Sequence, residues 1–134
     1  MKLFIDTNIF LDILFRRENY LSSLKILDAV LYGYLDATIL DITILNIDYI
    51  AKKQTKDLDG FLNLIVDNFD IVGANNLELK QALTLKHNDL EDSLQYICAK
   101  KSNCNLIITN DKKFIKKDIK VLSSFEFAQQ MGEN

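Results

Sequence analysis

The stretch KLFIDTNIF (residues 2–10) decides how the rest of the chain is read. Leu3, Phe4 and Ile5 form a short unbroken apolar run, the pattern of a strand buried on both faces. Asp6 ends the run. Phe10, Ile13 and Leu14 then recur at helical spacing, which predicts a helix over residues 7–17. The junction contains no glycine-rich loop, so a phosphate is not expected to be cradled there on backbone amides. An acid placed at the end of a buried strand needs another reason.

The same alternation continues to the C-terminus. Helical spacing covers residues 20–33 (Leu24, Leu27 and Leu31, with Gly33 as the stop) and 42–54, with Ile42, Leu45, Tyr49 and Ile50 expected inward. It covers 57–68 through Leu58, Phe61, Leu62 and Ile65, and 76–87 through Leu79, Ala82 and Leu83. Leu94, Ile97 and Cys98 carry a helix over 90–102. Short strands are read at 37–39 (ATI), 70–73 (DIVG), 105–109 (NLIIT) and 120–122 (KVL). A last helix follows, capped by Ser123 or Ser124, with Phe125 or Phe127 packing down. Apolar strands separated by helices predict an α/β protein, a three-layer α/β/α fold around a mainly parallel sheet of four or five short strands. Residues 1–134 are expected to form one domain.

Composition agrees with that reading. A chain of 134 residues, 49% hydrophobic and 26% charged, is ordinary for a globular domain. At that length about two-thirds of the unfolded surface can be buried, without disulfide or metal support. Four glycines and no proline leave no flexible linker. Cys98 and Cys104 have neither redox nor zinc-knuckle spacing. Cys98 is expected in the core, and free thiols suit a reducing cytoplasm. The N-terminal run is interrupted by Asp6 and Asp12 and lacks a cleavage site, so it is not read as a signal peptide. No window approaches a membrane span. The formal charge is −3, yet Lys112, Lys113, Lys116, Lys117 and Lys120 crowd into nine residues. Such a patch either holds a phosphate backbone or is simply solvated surface.

In open parallel sheets, ligands bind beyond the carboxyl ends of the strands. Two strands end there in polar residues: LFID in Asp6, and LIITND in Thr109, Asn110 and Asp111. A third acidic group, DLED (residues 89–92), opens the helix that feeds the second of these strands. Each has an ordinary reading alone: Asp6 as a helix cap, the DLED acids as helix-start charges, Asp111 as a turn residue. Convergence of all three on one edge favours a site. Carboxylates brought that close repel one another by several kcal/mol, about 4 at 4 Å and intermediate dielectric, unless a cation or a shifted pKa intervenes. Oxygen-only ligands favour Mg or Mn. The chemistry such a centre best serves is phosphodiester hydrolysis, in which a metal activates water and neutralises the leaving oxygen.

Over essentially its whole length the chain resembles the PIN-domain family, particularly small bacterial members that include VapC-type toxins. The resemblance is carried by FIDTNIFLDIL, NIDYIAKK, DLEDSLQYICAK and LIITNDKKF, in that order. It implies a Mg- or Mn-dependent endoribonuclease in which Asp6, Asp92 and Asp111 are the catalytic and metal-binding acids. Asn8, Thr109 and Asn110 would support them, with Glu91 as an auxiliary acid. Lys112, Lys113, Lys116 and Lys117 would contact the RNA backbone. The sequence departs from the family at Asn46, where the family usually carries Glu. Toxin-like relatives also imply a small antitoxin partner and a homodimer. His87, the only histidine, is expected in a surface or capping role. Asn46 motivates a competing reading, a non-catalytic binding module on the same fold. An aspartate phosphotransfer protein is a weaker alternative: Asn8 stands where such a phosphatase needs a second Asp, and Gly73 where a receiver domain needs its acceptor.

Overall fold

The computed structural model describes residues 1–132. Every expected element is present. In chain order they are β1 (Lys2–Ile5), α1 (Thr7–Leu14), α2 (Tyr20–Leu31), β2 (Asp36–Leu40), α3 (Asp41–Ala51) and α4 (Leu58–Asn68). There follow β3 (Asp70–Val72), α5 (Asn76–Thr84), α6 (Leu90–Lys101), β4 (Leu106–Ile108), β5 (Lys120–Leu122) and α7 (Ser124–Gly132). The five strands form one sheet in the order β3-β2-β1-β4-β5. All four pairings are parallel, with Phe4 in register with Thr38 on one side and Ile107 on the other.

This order positions the site. The chain winds outward from β1 through β2 to β3, then returns to lay β4 along the opposite side of β1. Between β1 and β4 the winding reverses, and the carboxyl ends of strands flanking such a switch point open onto a crevice. Asp6 leaves one of them and Thr109 the other.

The pleat divides the core into two layers. Leu3, Ile5, Leu106 and Ile108 face one side and pack with Phe10, Ile26, Ile47, Ile65 and Phe127. There Phe10 meets Phe61 and Phe69 edge-on, at centroid distances of 6.5 and 5.4 Å. Phe4 and Ile107 face the other side, with Leu94, Cys98, Ala99 and Phe114. Burying a side chain such as Ile107, which is 0% exposed, contributes roughly 1.5–3 kcal/mol. Cys98 and Cys104 are both buried free thiols. No helix among the described residues is long and apolar enough to cross a membrane.

Several expectations need correction. Leu45, Tyr49 and Ile50 do not face inward; they are 68%, 87% and 44% exposed. The buried line of α3 is Thr43, Ile47 and Ala51, spaced by four. The helix is apolar on most of its circumference, so the pattern alone did not single out a face, and the direct passage from β2 into α3 sets the rotation. Leu79 and Leu83 of α5 are also exposed, because that helix presses Ala82 onto the core and little else. Helix α1 stops at Leu14, before residue 17: Arg16 takes the left-handed conformation (φ 50°) and the Arg17 amide donates to the Asp12 carbonyl at 3.0 Å. Lys86, also left-handed, follows the early end of α5. At α7 the alternatives resolve to Ser123 and Phe127. Ser123 Oγ accepts from the Glu126 amide, and Glu126 Oε1 accepts from the Ser123 amide, a complete capping box. Phe127 is buried, whereas Phe125 is 45% exposed.

Candidate active site

Asp6 sits one residue beyond β1 and is only 3% exposed. It occupies the N-cap position of α1 in extended backbone (φ −74°, ψ 150°), yet its side chain makes no capping bond. It turns instead towards the switch point. Thr109 Oγ1 donates to its Oδ2 at 2.6 Å and Asn8 Nδ2 to the same oxygen at 3.0 Å. Gln95 Nε2 donates to Oδ1 at 2.8 Å. Burial pushes the Asp6 carboxyl above its usual range; the hydrogen bonds from Thr109, Gln95 and the Thr7 amide oppose that shift, and the Asp111 charge adds to it.

The start of α6 brings two more acids. Asp89 is the cap, accepting from the amides of Glu91 and Asp92 at 2.9 and 3.2 Å. Its ordinary reading therefore holds. The first turn's other acids, Glu91 and Asp92, are left to face the crevice. Asp92 is 5% exposed, and its Oδ2 has no hydrogen-bond partner. His87 Nε2 lies 3.8 Å from that oxygen, too far for a hydrogen bond. His87 lies partly buried beside Asp92. The Asp92 carboxyl is pushed up to about 8, first by burial, then by the charges of Asp6 and Asp89, then by a hydrogen bond shared with Asp111 that favours its protonated form. Glu91 is half-buried and also raised, by burial and then by the Asp6 charge.

Asp111 keeps its turn role, accepting from the Lys113 amide at 2.9 Å, while its side chain meets Asp92. Its amide donates to Thr109 Oγ1 at 3.0 Å, so one hydroxyl touches both Asp6 and the Asp111 backbone. Asn110 ties the loop down: its amide donates to Asn8 Oδ1 at 3.2 Å, and its Oδ1 accepts from the amide and hydroxyl of Ser124 at 3.0 and 3.1 Å. Asn46 reaches the site from α3, donating Nδ2 to Glu91 Oε1 at 2.8 Å.

Two site residues were not anticipated. Gln95 binds Asp6, and Asp12 Oδ2 accepts from Asn110 Nδ2 at 2.7 Å. Helical spacing held the signal: Gln95 lies four residues after Glu91, and Asp12 four after Asn8. Among the lysines, Lys112 and Lys116 line an open cleft of about 650 Å³, together with Asn8, Asp111 and Phe125. Lys113 and Lys117 are exposed but do not line it.

No three His, Cys, Asp or Glu side chains among the described residues are already drawn into a metal-binding group. The donor set nevertheless fits a hard divalent cation. It is oxygen-only, it includes a buried carboxylate oxygen without a partner, and burial and mutual repulsion oppose ionisation of its acids.

Residues 2–113 match the family model described as PIN domain, a span containing Asp6, Asn46, Glu91, Asp92 and Asp111. The chain is 32% identical over 140 aligned positions to Ribonuclease VapC1 of Aquifex aeolicus (strain VF5), covering 96% of this chain and 94% of the relative. Its fold superposes on a chain from a toxin-antitoxin complex from Klebsiella pneumoniae with a TM-score of 0.68, covering 91% of this chain and 97% of the other. At 20% identity that likeness is one of fold. With family match, relative and fold in agreement, the chain belongs to the PIN-domain family as a VapC-like member.

Proposed function

We propose that this protein is an endoribonuclease that hydrolyses RNA phosphodiesters with Mg or Mn, and that it is the toxin of a toxin–antitoxin pair. The observation that carries the reading is the buried, unpartnered Asp92 Oδ2 facing the same crevice as Asp6 and Asp111 at the sheet's switch point. A relative named as a ribonuclease and a fold neighbour from a toxin-antitoxin complex support it.

Asp6, Asp92 and Asp111 are the residues that would hold the ion. When bound, it supplies positive charge to the phosphate and lowers the pKa of the attacking water. The chain's own contribution is orientation and charge. Thr109, Asn8 and Gln95 fix the Asp6 carboxylate from three directions. Asn110 anchors the loop that carries Asp111 to α1 and α7. Lys112 and Lys116 hold the RNA backbone in the cleft, and Lys113 and Lys117 extend the positive surface beyond it. The test is cleavage of RNA with Mg or Mn and its abolition by EDTA. Cleavage that persists in EDTA would reject the metal-dependent route.

A non-catalytic binding module is the second reading, favoured by the neutral Asn46 in the site. It gives no reason for burying the Asp6 and Asp92 carboxyls together, with no Lys or Arg among the described residues paired to either, an arrangement that costs stability. We further propose that the protein works as a homodimer inhibited by a small antitoxin. Light scattering of the purified chain and its co-purification with the product of an adjacent short reading frame test these partners; a monomer that binds no such product would remove them.

A further inference from the structure

Resting on the metal-dependent reading above, we infer that Glu91 is a fourth acidic ligand of the centre, and that Asn46 is the positioning residue that aims it. Three neutral donors converge on the Glu91 carboxylate. Asn46 Nδ2 donates to Oε1 at 2.8 Å, Thr7 Oγ1 to Oε2 at 3.3 Å and Gln95 Nε2 to Oε2 at 3.4 Å. Thr7 is itself braced by Thr43, hydroxyl to hydroxyl at 3.0 Å. Elements α1, α3 and α6 therefore all contribute to holding one carboxylate, which exceeds what a solvated helix-start acid requires.

The second Glu91 oxygen shares its Gln95 donor with Asp6 Oδ1, which lies 2.8 Å from the same nitrogen. One amide thus bridges two half-buried or buried carboxylates and sets them side by side. No Lys, Arg or His among the described residues pairs with Glu91. Neutral donors orient a carboxylate but leave its charge uncompensated, and the adjoining Asp92 Oδ2 is buried with no hydrogen-bond partner, His87 Nε2 standing 3.8 Å away. A divalent cation answers both deficits.

Asn46 explains why Glu91 can serve. An acid at position 46 would set a second negative charge at hydrogen-bond distance from Glu91. The amide instead donates to Glu91 and leaves its ionised form in place. The charge that α3 lacks enters from α6, and the centre keeps four acids: Asp6, Glu91, Asp92 and Asp111.

Mn binding measured by titration calorimetry on metal-free protein tests the assignment, with thermal unfolding confirming that each variant is folded. Glu91→Gln keeps the shape and should weaken Mn binding by about tenfold or more. Asn46→Ala should weaken it less. The relocated pair Asn46→Glu with Glu91→Gln restores one carboxylate and one amide across the same contact and should recover most of the loss. A purely structural role for Glu91 would not give that recovery. If Glu91→Gln binds Mn as tightly as wild type while Asp6→Asn does not, Glu91 is not a ligand and the nuclease reading stands without it. If the wild-type protein binds no Mn, both fall together.

Discussion

Thr109 donates its hydroxyl to Asp6 Oδ2 at 2.6 Å across the seam between β1 and β4. The same oxygen of Thr109 accepts from the Asp111 amide at 3.0 Å. One side chain at the end of β4 therefore sets the orientation of the acid at the end of β1 and the path of the loop carrying a second acid. The bond lies in a buried environment, where loss of one partner strands the other.

Replacing Thr109 with Val keeps the shape and deletes both bonds, together with the one its hydroxyl accepts from Asn8 Nδ2 at 3.3 Å. Stability should fall by about 1–3 kcal/mol, read by chemical denaturation. RNA cleavage should fall up to about a hundredfold, because displacement of a positioned group of about 1 Å is worth that much. The loss should appear in kcat with little change in KM. Thr109→Ser, which retains the hydroxyl, should recover most of the activity.

Asp92 should trade stability for function. Its folded-state pKa is raised from 3.8 to about 8. The folded protein therefore holds that proton more tightly than the unfolded chain does. The resulting stabilisation is fully present below pH 3.8 and is lost as pH rises through about 8. Asp92→Asn removes the titration. Metal-free Asp92→Asn should therefore melt higher than wild type at pH 8, by roughly 5 °C for a gain of about 1–2 kcal/mol, while cleavage is lost. A lower melting temperature would contradict the burial argument.

The same shift governs metal affinity. An ion taking Asp92 must displace its proton, so Mn binding should tighten as pH rises towards 8, by up to about tenfold per unit. Calorimetry at pH 6, 7 and 8 reads this directly. Protons should be released on binding at pH 6 and 7, visible as a dependence of the heat on buffer ionisation. Affinity independent of pH would remove Asp92 from the ligand set.

The cleft lysines should act on binding. Lys112→Ala and Lys116→Ala should raise KM, leave kcat within about twofold, and each reduce the slope of log affinity against log salt by about 0.7, the value for single-stranded nucleic acid. Lys113→Ala and Lys117→Ala, whose side chains lie outside the cleft lining, should change these quantities less.

What could be read in advance follows from how each signal arises. Asp6 and Asp111 were legible because an unbroken apolar strand has few interpretations, and parallel strands bring their carboxyl ends to one edge. Asp92 was legible from the helix that feeds β4. The inward face of α3 was not: a helix apolar on most sides carries no preferred direction in its pattern, and only packing below β2 chooses Ile47 over Leu45. Gln95 and Asp12 escaped for a different reason. A glutamine or an acid in a helix is usually a solvated side chain, and spacing by four from Glu91 and from Asn8 gains weight only with the partner across the crevice. The DLED acids were legible as helix-start charges, but only the bonds that Asp89 accepts from the Glu91 and Asp92 amides separate the acid that caps the start of α6 from those that enter the site.

The most direct measurement is single-turnover cleavage of RNA by wild-type protein and by Asp6→Asn, each with Mn and each with EDTA. Cleavage by the wild type with Mn, its loss in EDTA, and a fall of at least about a hundredfold in a folded Asp6→Asn protein are expected, since a residue acting in the transition state costs at least about 2.7 kcal/mol when removed. A folded Asp6→Asn protein that cleaves as fast as wild type would contradict the account.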